Sequence, residues 1–510
     1  MNHDYKNSGR CAKTERESRA STAIEIRNQK RNDMLQKKRT MAFVKGPSQY
    51  NISEMAEKIN STDIDKIVEG ATEIRRLLSA EKCPPIDSIV MTGLTTVFGR
   101  LINPANPVFA NIAEEKVIKV IHEASWVLTN ISSGNNLQTM AVIKSGAVKH
   151  LVGLLLMNNE EIQDQGVWAL GNIAGDCEAA RDIVINAGAT EPILALIKKQ
   201  LDNPNRRADY LRNLSWALSN MNRGRSPPPT YQHMERCLEM ISYLVSVDDP
   251  EVVSDAYWAL SYICDAGIAQ VDLVIGTGLI ESTMERLASF QKNMPHGEHK
   301  MFSQFREQTI SPIIRTLGNI ATYEDKHTDY IIGLGLIGIL KKIFSLPMDH
   351  RKSIRVKKEI CWVISNITAG TPEQIDQVIK EGFLEILACA LKNSDNLTKI
   401  EACWALCNAS MHIDTHIHQV REVGRSGAIV AFSKFLPTVK NDAKIAKVIL
   451  DCLSNLLECG RVDSLGGENH IAAEIEGSSL LDQIEELQAV DNYAVASTAE
   501  KIIRNYFDGQ

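Results

Sequence analysis

Five short stretches of this chain place a tryptophan and an asparagine four residues apart: WVLTNISSG from Trp126, WALGNIAGD from Trp168, WALSNMNRG from Trp216, WVISNITAG from Trp362 and WALCNASMH from Trp404. Taken as a ruler, the tryptophan position falls at Trp126, Trp168, Trp216, Trp258, Arg315, Trp362, Trp404 and Asp451, at intervals of 42, 48, 42, 57, 47, 42 and 47 residues. A fixed period of this size means a stacked array. One such unit cannot bury its apolar face alone, so neighbours must cover one another around a continuous core.

The period is that of HEAT and armadillo units, each two or three helices. Residues 161–174, EIQDQGVWALGNIA, run from a polar approach into an apolar stretch. A helix apolar on most sides is buried on most sides, so this is expected to be the inner helix of its unit. Glycine precedes a new apolar helix in KSGAVKHLVGLL, NAGATEPILALI, GTGLIESTMERL and RSGAIVAFSKFL, as at a junction between helices. The fold class is therefore all-α, a repeat solenoid. The surplus in the 57-residue interval lies at 291–304, a polar segment with Pro295 and Gly297 that reads as a surface loop.

Composition narrows the function. The net charge of −7 hides a basic arm. Residues 1–45 hold twelve Lys/Arg against five Asp/Glu, which leaves −14 on the remainder. An acidic body attracts basic peptides, its own arm included, and argues against nucleic acid as a direct ligand. The longest nearly apolar stretch, 331–340, is too short to cross a bilayer, and the first residues carry no apolar signal core. Eleven cysteines without a Cys-x-x-Cys pair read as reduced thiols of an intracellular protein. Cys403 and Cys407 share a helix face but lack a histidine pair at zinc-site spacing. His412, His416 and His418 could bind metal, but they follow a repeat helix and lack a partner set. No phosphate-cradling loop or nucleophile set is assembled, so we expect no enzyme and no cofactor.

In a helix, residues i and i+4 face the same way, so each Trp and its Asn emerge together. Stacked helices lie ~8–10 Å apart, and an extended peptide rises ~3.3 Å per residue, so about three peptide residues span one repeat. A carboxamide can donate and accept, which suits an exposed peptide backbone rather than a helix. Parallel indoles can sandwich a lysine stem, and rim carboxylates can receive the charge. Glu123, Asp176, Asp255, Asp265, Glu359 and Glu401 are the candidates. The ladder is interrupted where Tyr262 follows Trp258 and where Arg315 precedes Asn319. One set is thus Trp126, Trp168 and Trp216 with Asn130, Asn172 and Asn220. The other is Trp362 and Trp404 with Asn319, Asn366 and Asn408. Arg315 could meet an acidic spacer of a ligand or pair with a neighbouring Glu.

At these residues the sequence resembles the importin-alpha (karyopherin-alpha) family, in VWALGNIAGD, RNLSWALSNMNRG, YWALSYICDA, RTLGNIATYED and EICWVISNITAG. The resemblance implies a right-handed superhelical solenoid of armadillo repeats, with a basic, mostly flexible arm over 1–60. Repeats 1–9 would occupy 61–470, and a terminal acidic helical repeat 471–510. It implies an adaptor that binds Lys/Arg-rich nuclear localisation signals, shuttles between cytoplasm and nucleus, and touches no membrane. The major site would comprise Trp126, Asn130, Gly134, Thr139, Trp168, Asn172, Asp176, Asn213, Trp216, Asn220, Asp255 and Trp258, with Gly134, Thr139 and Asp176 holding the key lysine. The minor site would comprise Arg315, Asn319, Thr322, Thr328, Glu359, Trp362, Asn366, Glu401, Trp404 and Asn408. Residues of about 16–43 resemble the importin-beta-binding segment, through Arg27, Lys30, Arg31, Lys37, Lys38 and Arg39. Lys37, Lys38 and Arg39 would also compete with cargo for the major site. The arginine run upstream is thinner than the family's, with only Arg16 and Arg19. Residues 472–488 resemble the segment that a recycling exportin uses. The alternative is a catenin-type armadillo scaffold gripping another extended partner.

Overall fold

The computed structural model describes residues 51–80, 84–290, 299–346, 350–465 and 467–507, and all regular structure among them is helical. The repeating element is two short helices followed by a long one, as in Asn136–Lys144, Ala147–Leu154 and Glu160–Ala174. Every residue from Ile162 to Ala174 is buried, as expected of an inner helix. The expected junction glycines lie in left-handed backbone: Gly146 at φ 77°, Gly188 at 86°, Gly278 at 74° and Gly427 at 83°. A side chain there would collide with its own backbone, so glycine lets a short helix stop and the next begin at once.

The described chain divides into two compact units, one ending at Ala266 and one beginning at Gly267. In the first, the long helices Ile64–Ala80, Glu114–Ser132, Glu160–Ala174, Ala208–Met221 and Pro250–Ala266 pack in succession. In the second, His299–Ile320, His350–Thr368, Asn396–Ala409 and Ala443–Asp463 do the same. Side-chain ties run from each repeat to the one before. Gln138 Nε2 donates to Asp87 Oδ1 at 2.8 Å, and Gln374 Nε2 to Asp329 Oδ1 at 2.8 Å. Both glutamines also close a capping box at the start of their helix.

Two expectations need correction. Residues 52–59, assigned to the arm, form a helix that buries Met55 and Ile59. It approaches Ile64–Ala80 so closely that a Cβ at Gly70 would sit 2.9 Å from Lys58 Cβ. The loop expected over 291–304 gives way at His299 to a helix that continues to Ile320; residues 291–298 lie outside the described residues. The basic segment 16–43 lies outside them too. The acidic end folds as a further three-helix set, His470–Glu476, Leu480–Leu487 and Tyr493–Tyr506.

Candidate peptide-binding ladder

The long helices put the tryptophans and asparagines in phase, and four of the asparagines are tied to the repeat before. Asn172 Nδ2 donates to Thr129 O at 3.1 Å, Asn220 Nδ2 to Gly171 O at 3.0 Å and Asn408 Nδ2 to Ser365 O at 2.9 Å. Asn130 Nδ2 reaches Ser79 Oγ at 3.1 Å. In these rungs one N–H of the amide holds the stack, which leaves the oxygen and the second N–H to offer. The Oδ1 atoms of Asn130, Asn172 and Asn408 are buried with no hydrogen-bond partner among the described residues. Most buried polar atoms are paired, so these orphans, two on successive rungs of the first unit and one in the second, call for donors.

The rings are seated as well as aligned. A Cβ at Gly171 would come within 2.5 Å of Trp216 Cζ3, and Gly318 lies in the same way against the ring of Trp362. The indoles of Trp216 and Trp362 therefore lie close against the backbone of the preceding repeat. The burial of the rings corrects the expectation of open indoles. All five rung tryptophans are buried in the full-length chain, from Trp168 at 1% exposed to Trp362 at 9%. Trp258 is half-buried and stacks on Tyr262 with ring centroids 6.1 Å apart.

Of the rim carboxylates, Glu123 pairs with Arg75 and Glu359 with Arg315, the latter at 2.6 Å. Each guanidinium also lies 4.5 Å from a ring centroid, Arg75 over Trp126 and Arg315 over Trp362. The neighbouring-Glu alternative for Arg315 is thus realised. Asp265 stands 3.7 Å from Arg225. Asp255, Glu401 and Asp176 are half-buried. Thr139 Oγ1 lies 3.5 Å from Asp176 Oδ1, and Asn136 Nδ2 donates to Asp176 Oδ2 at 2.6 Å. Gly134 borders this corner, where any Cβ would collide with Gln138. Gly134, Thr139 and Asp176 are therefore brought together. Asn213 is turned elsewhere, donating to the buried Asp164 at 2.9 Å, which Arg207 also approaches at 3.2 Å.

In the second unit, Thr328 Oγ1 donates to Ala321 O at 3.5 Å, as Thr139 Oγ1 does to Ser132 O at 3.4 Å. Thr322 Oγ1 donates to Asn319 O at 2.7 Å, and Asn319 and Asn366 are buried. Sequence reading missed Arg75, although it and Ser79 keep the four-residue cadence one repeat before Trp126. It also missed Asn455, whose Nδ2 donates to Ser410 O at 2.9 Å four residues beyond the ruler position Asp451. His418 bonds Asp376 at 2.8 Å, and no group of three or more His, Cys, Asp or Glu among the described residues could hold a metal ion. None of the described helices is long and apolar enough to cross a membrane.

The chain is similar to known proteins along most of its length. Residues 135–175 and 371–411 match the Armadillo/beta-catenin-like repeat family, and residues 2–73 match the Importin beta binding domain. An engineered protein of known crystal structure shares the fold, with a TM-score of 0.67 at 21% identity over 90% of this chain and 100% of that one. Importin subunit alpha-1a of Oryza sativa subsp. japonica is 32% identical over 96% of this chain and 89% of its own length. Importin subunit alpha-4 of Arabidopsis thaliana is 34% identical over 96% and 88%. With relatives this similar over nearly its whole length, and with the ladder those residues build, the chain belongs to the importin-alpha family.

Proposed function

We propose that this chain is a nuclear import adaptor. It binds mono- and bipartite Lys/Arg-rich localisation signals, stretched along the Trp/Asn rows, and links them to importin-beta through its basic arm. The observation that carries the reading is the orphaned Oδ1 atoms of the successive rungs Asn130 and Asn172 in the first unit, with a third at Asn408 in the second. An extended peptide brings backbone N–H groups at the required spacing; a helix has already spent its own. Specificity for basic residues comes from the indole walls and from the corner of Gly134, Thr139 and Asp176, where a carboxylate and a hydroxyl can share an ammonium. Trp126, Trp168 and Trp216 form the major site, and Trp362 and Trp404 the minor one.

The match to the Importin beta binding domain favours this reading over a catenin-type scaffold. Lys37, Lys38 and Arg39 compete with cargo, and tethering makes the competition effective at a local concentration of ~mM. The acidic end, 472–488, serves a recycling exportin, and the protein shuttles between cytoplasm and nucleus without catalysis. The test is a pull-down with an immobilised basic signal peptide, with and without importin-beta, on the full chain and on a chain lacking residues 1–45. Peptide capture that rises on deletion, and importin-beta capture that disappears with it, are expected. No capture of the peptide by either chain overturns the reading.

A further inference from the structure

We infer that Arg75 is a register stop, a built-in cation that fixes where the run of lysines in a bound peptide must end. The inference rests on the peptide-binding reading above and goes beyond it.

Arg75 belongs to Ile64–Ala80, the first long helix of the N-terminal unit. Its guanidinium carbon lies 4.5 Å from the ring centroid of Trp126, and its Nε pairs with Glu123, three residues before that tryptophan. Four residues on, Ser79 takes the bond from Asn130 that a backbone carbonyl takes in the next two rungs. Arg75 and Ser79 thus stand in the tryptophan and asparagine places of their own repeat. The second unit repeats the solution: Arg315 stands at the ladder's tryptophan place, 4.5 Å over Trp362, and pairs with Glu359, again three residues upstream. Two occurrences with the same offsets argue for a device rather than a chance contact.

A ring face flanked by a carboxylate is what a peptide lysine would seek. On the Arg75 side of Trp126, both features are already used. Arg75 and Glu123 side chains are only 17% and 10% exposed, so their pairing is little screened. A further peptide cation would meet a guanidinium and find no free anion. By contrast, no cation of the described residues is seated over Trp168, one rung on. Lysines are therefore selected inward of Trp126, and beyond it a neutral or acidic residue is accepted.

The experiment compares a lysine-rich core peptide with two versions carrying one more lysine, at either end. Affinities are measured on the full chain, on Arg75→Ala, on Arg75→Met and on Arg75→Ala/Glu123→Gln. Met keeps an apolar cover over the ring without the charge, and circular dichroism checks that each variant is folded. The unaltered chain is expected to bind core and extended peptides within about two-fold of one another. Arg75→Ala and Arg75→Met are expected to favour one extended peptide by about ten-fold, because the vacated slot leaves Glu123 in need of a cation. Adding Glu123→Gln should erase that preference. An equal gain in the unaltered chain, or no gain in the folded variants, overturns the stop and leaves the adaptor reading standing. Failure of the unaltered chain to bind the core peptide overturns both.

Discussion

The two ladders are built to one plan and finished differently. The N-terminal unit has three consecutive Trp/Asn rungs and a corner in which Thr139 Oγ1 lies 3.5 Å from Asp176 Oδ1. The C-terminal unit keeps the threonine, as Thr328, but Gly370 stands where Asp176 would be, four residues after the rung asparagine. Its two tryptophans are both met by the chain's own cations, Trp362 by Arg315 at 4.5 Å and Trp404 by Lys444 at 5.5 Å. On the proposed reading, the aligned rungs supply backbone recognition and the anion in the corner supplies preference for lysine. A single basic cluster should choose the N-terminal ladder, and the C-terminal one should add to peptides long enough to reach both.

The strongest way to break this ranking is to remove rungs. Trp168→Ala with Asn172→Ala is expected to weaken a single-cluster basic peptide by about 100-fold, since buried aromatic anchors dominate such contacts. Trp362→Ala with Trp404→Ala should cost about 3-fold for that peptide and more for a two-cluster one. Fluorescence polarisation measures both, and the reverse order would refute the comparison.

Acid separates the units in stability. Burial, with Arg181 nearby, pushes the His233 imidazole down to about 4 from its ordinary 6.5. Between those values the unfolded chain binds the proton and the folded one does not, so the N-terminal unit loses stability as pH falls through that window. The loss is on the order of 2–3 kcal/mol. In the C-terminal unit, hydrogen bonding from His327 holds Asp272 below the ordinary carboxylate range. That contribution persists above the ordinary carboxylate value and is lost only at lower pH. Thermal melts from pH 6.5 to 4 should show the N-terminal transition falling first, and His233→Leu should flatten its pH slope.

Smaller effects sharpen the picture. Asp176→Asn should lower single-cluster affinity about ten-fold while leaving the melting temperature nearly unchanged, as for loss of one charged partner. Gly171→Ala should destabilise the N-terminal unit by about 1 kcal/mol, because displacing the Trp216 ring outweighs the gain in helix propensity. A rise in stability would show that the ring is not seated there.

Much of this was legible in the sequence because the repeat imposes periodicity. The Trp/Asn phase, the inner helices and the junction glycines follow from spacing alone. Partners across repeats were not legible. The bond from Asn172 Nδ2 to Thr129 O joins residues 43 positions apart, and the pairing of Arg75 with Glu123 spans 48. Local pattern fixes neither. The seating of Trp216 on Gly171 was hidden for the same reason: a glycine within a helix signals a close approach without naming what approaches. Exposure was also misread, since periodicity gives the face on which a ring lies but not how deeply the next repeat packs against it.

The central claim is that orphaned asparagine oxygens grip the backbone of a stretched basic peptide. Titrating the protein with a lysine-rich signal peptide, and with copies N-methylated at single backbone positions, tests it most directly. The account predicts tight binding of the parent and a loss of at least about ten-fold at methylated positions about three residues apart, where an N–H to a rung is removed. Equal binding of every copy would contradict it.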